Sequence, residues 1–300
     1  MVRLWRSNAR SISDADVVVL GVPDESGSHA ERKGTRRAPD TLRRAWNEFE
    51  FFKRNGNHIP ISPMDGSFEG KAIFDMGNVQ KKNLRKTIAS ISSQHAVPIS
   101  IGGDHSITTE AVKGVSQAHR TRLAIFYFDA HPDFVSSTLN YYGSVLADCS
   151  HELNLSRSAL VGIRAAEPEE LVNAKRNNLM ILSPLDVSKN SLRVIAQKLV
   201  ARAGQAKKYI SIDLDCLDPS HAPGVSLPSP CGLSSTQLVY LLKELIRAGG
   251  VEGLDIVELS PDYDSHNITA GLAAKILSEC IASFEPRASR VRNRTRKVRT

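Results

Sequence analysis

The chain predicts an α/β fold, a mostly parallel sheet of about eight strands with helices on both faces. Two observations carry this. Apolar runs of strand length alternate with helix-patterned segments over most of the 300 residues. The clearest run, Leu123-Ala124-Ile125-Phe126-Tyr127-Phe128, is apolar without a break, as a strand buried on both faces is. No Pro/Gly/Ser-rich linker and no internal repeat divides the sequence. A single domain over residues 1–286, followed by a basic tail at 287–300, is therefore expected.

In chain order the short apolar runs predict strands at Val17–Val22, Ala72–Asp75, Val97–Ile101 and Leu123–Asp129. Four more follow at Ala159–Ile163, Met180–Leu182, Tyr209–Asp213 and Val251–Val257. Between them, segments with helical patterning predict helices at Ala38–Trp46, Asn83–Gln94, Thr108–Gln117 and Glu167–Asn177. Ser191–Ala201, Ser235–Leu245 and Thr269–Ala282 complete the set. After Ile101, Gly102 and Gly103 permit a tight turn into the next helix.

Composition, 41% hydrophobic and 24% charged, is that of an ordinary globular enzyme, with no apolar run of membrane-spanning length. Met1–Arg6 lacks the apolar segment of a signal peptide, so a cytoplasmic protein is expected. Cys149, Cys216, Cys231 and Cys280 are widely spread without a CxxC pair, which fits reduced structural thiols. The net charge of +7 belongs to the tail, where six Arg and one Lys occur after Pro286 with no acid. Without those seven bases, 32 of the 39 remain, equal to the 32 Asp and Glu. The tail is expected to be disordered and solvated, and nucleic-acid contact is not expected elsewhere.

Parallel α/β sheets carry their functional groups at the C-terminal ends of strands. Asp129, His131 and Asp133 follow one predicted strand at every second position, so they project together if the chain stays extended through Pro132. Asp213 and Asp215 end another strand with the same spacing. His105 follows Gly102-Gly103-Asp104, and Glu258 ends the Val251 strand. Taken singly, each has a structural reading: His105 as a helix-start residue, Asp213 and Asp215 as loop acids, Asp104 and Asp218 as caps. Burying several carboxylates together, however, is prohibitive unless cations neutralise them. His105, Asp129, His131, Asp133, Asp213 and Asp215 therefore read as ligands of two ions. A set rich in carboxylate and free of thiolate points to Mn²⁺ over Zn²⁺.

Three segments resemble the ureohydrolases, the arginase and agmatinase family: Ile101-Gly102-Gly103-Asp104-His105-Ser106, Asp129-Ala130-His131-Pro132-Asp133, and Ser211-Ile212-Asp213-Leu214-Asp215 running on through Pro219, Pro223-Gly224 and Gly232. The resemblance runs from Val17 to Glu258 and leaves out the tail. It implies an arginase-like three-layer α/β/α sandwich and two Mn²⁺ per chain. One ion would take His105, Asp129, Asp133 and Asp213; the other would take Asp129, His131, Asp213 and Asp215. It further implies hydrolysis of a guanidino compound to urea and an amine, Asp133 carrying the proton, Glu258 holding the guanidinium, and a trimer or hexamer.

The chain departs from the family at two places. Tyr142 aligns where the family carries a loop histidine, and its unperturbed pKa near 10 suits a hydrogen-bond donor better than a proton shuttle. His151 lies further along, within reach only if a loop folds it back. Val225–Cys231 is bulkier than the family's small-residue stretch, and Cys231 there is expected to be a buried, inert thiol. The loop Phe134–Tyr142, with Asn140 and Tyr142 as expected substrate contacts, lacks a Ser-Gly-Asn sequence and so favours agmatine, which has no α-carboxylate. Arginine, other guanidino or formimino compounds, or an impaired enzyme are the alternatives. A metallophosphoesterase would need a Gly-Asn-His-Asp segment, which the chain lacks.

Overall fold

The structure, a computed structural model, describes residues 2–286; the basic tail at 287–300 lies outside the described residues. The chain begins with β1 (Val17–Gly21), α1 (Ala38–Phe49), β2 (Phe51–Arg54), β3 (Asn57–Pro60), β4 (Ile73–Asn78), α2 (Lys81–Ser93) and β5 (Val97–Ile101). It continues with α3 (Ile107–His119), β6 (Ala124–Phe128), α4 (Val145–Asp148), β7 (Ala159–Val161), α5 (Pro168–Arg176) and β8 (Met180–Leu182). It closes with α6 (Pro184–Ser188), α7 (Leu192–Ala203), β9 (Lys208–Asp213), α8 (Ser235–Arg247), β10 (Val251–Val257) and α9 (Ile268–Ser283).

Eight strands form one sheet in the order β4-β1-β5-β10-β9-β6-β7-β8, and every pairing is parallel. Parallel neighbours need crossover connections, which put helices on the faces of the sheet. Val17 and Val19 pack on one face with Trp46, Leu241 and Leu277. Val18 and Leu20 pack on the other with Ile88, Ile107 and Val112. Both faces of the central strands are therefore buried, which is why these read as unbroken apolar runs, while the edge strands β4 and β8 are only partly buried. The result is the three-layer α/β/α sandwich.

The pairing of β2 with β3 is an antiparallel hairpin that the sequence reading passed over. Its turn residues Asn55 and Gly56 have φ of 51° and 77°, as an Asn-Gly hairpin turn requires. Charged Lys53 and Arg54 mask the strand pattern. Beside the sheet, the buried Arg43 guanidinium grips Asp75 through two bonds, Nε to Oδ2 and Nη2 to Oδ1, each 2.9 Å. That pair fastens α1 to the edge strand β4.

Candidate metal centre

The four strands that carry the predicted site residues, β5, β10, β9 and β6, are adjacent in the middle of the sheet. The loop after β5 passes so close to the first loop that a Cβ on Gly103 would lie 1.7 Å from the Asp24 carbonyl oxygen. Asp104 braces this turn, accepting from Ser106 N at 2.9 Å and Gly27 N at 2.8 Å. The brace sets His105 at the head of α3.

Around His105 Nδ1 stand three carboxylate oxygens: Asp129 Oδ2 at 3.0 Å, Asp213 Oδ2 at 3.1 Å and Asp133 Oδ2 at 3.2 Å. Around His131 Nδ1 stand Asp215 Oδ2 at 3.2 Å and Asp129 Oδ1 at 3.3 Å. Asp129 thus turns one oxygen to each group. Ligands at right angles on metal bonds of about 2.1 Å are themselves about 3 Å apart, so these spacings suit a cation. Asp129 Oδ2 is buried and accepts no hydrogen bond, an orphaned acceptor that a cation would satisfy. The donor set fits two divalent ions sharing Asp129.

The convergence is achieved differently from the extended geometry expected for these motifs. β6 ends at Phe128, His131 N donates to Asp129 Oδ1 at 2.6 Å, and Asp133 adopts a left-handed φ of 47°. Asp213 is the last residue of β9, and its Oδ1 accepts from Asp215 N at 2.7 Å across a 3₁₀ turn. Each Asp-x-His or Asp-x-Asp pair is therefore a side-chain-capped turn, in which the first carboxylate satisfies a main-chain donor that leaving the sheet would orphan.

Polar residues inside the strands, unpredicted from sequence, support the cluster. His105 Nε2 lies 2.8 Å from Ser211 Oγ, and Ser211 Oγ donates to Asp255 Oδ1 at 2.6 Å. Asp255 also accepts from Tyr209 and Thr108, at 2.7 and 2.8 Å. Ser211 spends its only proton on Asp255, so Nε2 is the donor to Ser211, and Nδ1 is the nitrogen that meets the carboxylates, across a cation or a second ring proton. Tyr127 stacks on the His105 ring and donates to Asp133 Oδ2 at 2.6 Å.

Electrostatics agree with a cation site. Burial and the charges of Asp133 and Asp215 push Asp129 up to about 6. Burial, with Asp215 and Asp129, also raises Asp213 well above the usual carboxylate range. Although burial opposes its charge, His131 is pushed up to about 12 by Asp215 and Asp129. Positive charge is what this cluster lacks.

Glu258 is buried at the end of β10 with a left-handed φ of 65°. Its Oε1 accepts from His105 N at 2.8 Å, while its Oε2 is buried without a partner. Burial, with the charge of Asp104, pushes this carboxyl up to about 8. Tyr142 is half-buried, hydrogen-bonded through its N–H to Gly27 O at 3.1 Å, and its phenol is raised by burial and by Glu258 and Asp133. Asn140 is exposed outside the cluster, with its main-chain N–H held by Asp148.

His151 does not fold back. It neighbours Glu152, whose carbonyl accepts from Leu123 N at 2.8 Å at the entry of β6, the opposite end of the strand from the cluster. The histidine that does reach Tyr142 is His29, from the loop after β1. Its ring stacks on Tyr141 at 4.9 Å and meets Tyr142 edge-on at 6.0 Å. Cys231 is exposed, not buried as expected, because φ of 63° there turns the chain outward after Pro230.

A parallel α/β/α sandwich with two overlapping His/Asp groups at its strand ends defines a metallohydrolase-like class. The chain belongs to the arginase family, which it matches over residues 15–283. An agmatinase of Neisseria meningitidis is 29% identical over 279 residues, 90% of this chain and 87% of that protein. A proclavaminate amidinohydrolase of Streptomyces clavuligerus is 29% identical, covering 90% of this chain and 88% of that one. The crystal structure of the agmatine ureohydrolase of Thermoplasma volcanium has a TM-score of 0.78 at 29% identity, covering 94% of each chain. Among the described residues no helix is long and apolar enough to cross a membrane.

Proposed function

We propose that this chain is a binuclear manganese hydrolase that cleaves a guanidino C–N bond to release urea, with agmatine converted to putrescine as its reaction. The observation that carries this is the pair of His/Asp groups sharing Asp129 beside Glu258, whose buried Oε2 has no partner. His105, Asp129, Asp133 and Asp213 would hold one ion; Asp129, His131, Asp213 and Asp215 would hold the other. When bound, the ions neutralise the four carboxylates and acidify water, so that hydroxide is available at neutral pH.

The protein residues do the rest. Glu258 orients the planar guanidinium through charge-assisted hydrogen bonds. Water adds to the guanidinium carbon and the bond to the alkyl nitrogen breaks; guanidinium plus water becomes urea plus an alkylammonium, so atoms and charge balance. Asp133 carries the proton to the departing nitrogen. Tyr142 would contribute a hydrogen-bond donor to the substrate, and Asn140, on the same loop, a polar contact to its far end. The absence of a Ser-Gly-Asn sequence from Phe134–Tyr142 supports a substrate without an α-carboxylate. The same reading takes residues 1–286 as one catalytic domain of a cytoplasmic homo-oligomer, trimer or hexamer, in polyamine synthesis. No nucleic-acid partner is proposed, the basic tail being the one segment that could make such a contact.

The test is urea release from agmatine, arginine and other guanidino compounds by metal-stripped protein with Mn²⁺ or Zn²⁺ restored. Agmatine with Mn²⁺ is expected to give the highest kcat/KM, and Asp129→Ala to abolish it. No urea from any compound overturns the reading.

A further inference from the structure

The sequence marks Tyr127 only as one apolar residue in a buried run, yet its side chain ends among the metal-capable groups. Its Cα pairs with that of Ser211 on β9, and Ser211 pairs with Asp255 on β10, so three polar side chains stand in one row across adjacent strands. Tyr127 is fully buried. Its ring lies parallel to the His105 imidazole, with centroids 4.5 Å apart and an interplanar angle of 1°. Its hydroxyl is 2.6 Å from Asp133 Oδ2 and 3.1 Å from His105 Nδ1.

A phenol has one proton to give, and here two acceptors compete for it. The shorter distance and the charged oxygen both assign it to Asp133 Oδ2. Ser211 and Asp255 already fix the proton of His105 on Nε2. Nδ1, 3.1 Å from the phenol oxygen, is then left to a cation or a second ring proton, and the phenol does not compete for it. Had the phenol bonded Nδ1 instead, it would compete with a metal for the nitrogen's lone pair.

We propose that Tyr127 is a positioning residue for the ion held by His105 and Asp133: its hydroxyl fixes Asp133 Oδ2, and its ring fixes the plane of His105. This rests on the metal-centre reading above. The phenol's hydrogen-bond partners are Asp133 and His105, not His131 or Asp215, so an ion held by His131 and Asp215 should be far less sensitive to it. Partners of this kind, which orient ligands from behind, are worth about 10–100-fold in metal affinity.

The experiment is Mn²⁺ titration by calorimetry of the stripped full-length chain, comparing wild type with Tyr127→Phe, which keeps the ring and loses only the donor. Wild type should bind two ions. In Tyr127→Phe one ion should bind about 10–100-fold more weakly while the other is unchanged, with the metal-free melting temperature close to wild type. Two ions bound as tightly as in wild type, or both weakened alike, overturn the proposal. If Tyr127→Phe does not fold, Tyr127→Met carries the test, since it is apolar, of similar length and has no donor. One ion should again bind more weakly with the other unchanged, and no loss, or an equal loss at both sites, overturns the proposal. Wild-type protein that binds no Mn²⁺ overturns the metal centre itself; two ions in wild type with no effect of Tyr127→Phe overturns the role of Tyr127 alone.

Discussion

Ser211 Oγ sits 2.8 Å from His105 Nε2 and passes its own proton to Asp255, so a residue in the interior of a strand decides which nitrogen of His105 faces the carboxylates. Ser211→Ala should free the ring to rotate or change tautomer. Mn²⁺ affinity is expected to fall about 10–100-fold, read by calorimetry on stripped protein. Unchanged affinity would show that the ring is held by packing alone.

Arg43 and Asp75 test the scaffold away from the His/Asp cluster. Asp75 is fully buried and receives Arg43 through two bonds, along with Leu4 N and Gly77 N. Arg43→Leu leaves a buried carboxylate without its cation. Urea denaturation is expected to show a loss of about 3–5 kcal/mol. A loss below 1 kcal/mol, on the order of a surface ion pair, would mean that water reaches Asp75.

Thiol chemistry should separate the cysteines. Cys149, Cys216 and Cys280 are buried, and burial pushes each thiol up, Cys280 to about 12. Cys231 is exposed. A colorimetric thiol reagent should therefore modify one cysteine in the native protein and all four after unfolding. Rapid modification of two or more would contradict the packing.

Glu170 gives a pH signature. Its carboxyl accepts from Phe134 N at 3.1 Å and Glu167 N at 2.8 Å, and burial pushes it up to about 7. A carboxyl raised in the folded state favours the folded, protonated form. Its contribution is complete below the unfolded pKa near 4.5 and is lost as pH rises through about 7. The melting temperature of Glu170→Gln should accordingly fall less steeply than that of wild type between pH 5 and about 8. Parallel slopes for the two proteins would rule out this titration.

What the sequence made legible follows from where side chains point. Strands such as β1 and β6 are buried on both faces, so Val17–Gly21 and Ala124–Phe128 announce themselves as apolar runs. Asp129, Asp213 and Glu258 stand where such runs end, and a charged residue there has few structural uses. Tyr127, Ser211 and Asp255 were not legible, because their shared row depends on β6, β9 and β10 being neighbours, and sequence order does not give that adjacency. Asp255, a charge between Leu254 and Ile256, was the one local sign of it. His29 was hidden by distance along the chain, and the left-handed turns at Asp133 and Glu258 are imposed by the site against local preference.

One consequence concerns the joint between Glu258 and the His105 loop. Glu258 Oε1 accepts from His105 N, and Glu258 N donates to Gly103 O at 3.0 Å, a reciprocal clasp. Any ligand that draws on Glu258 therefore pulls on the backbone that carries a metal ligand. Affinity for the guanidinium and retention of the ion become linked quantities, each raising the other by the same factor. With an inert guanidinium present the equilibrium affinity for Mn²⁺ should rise, and the metal-depleted protein should bind that guanidinium more weakly by the same factor.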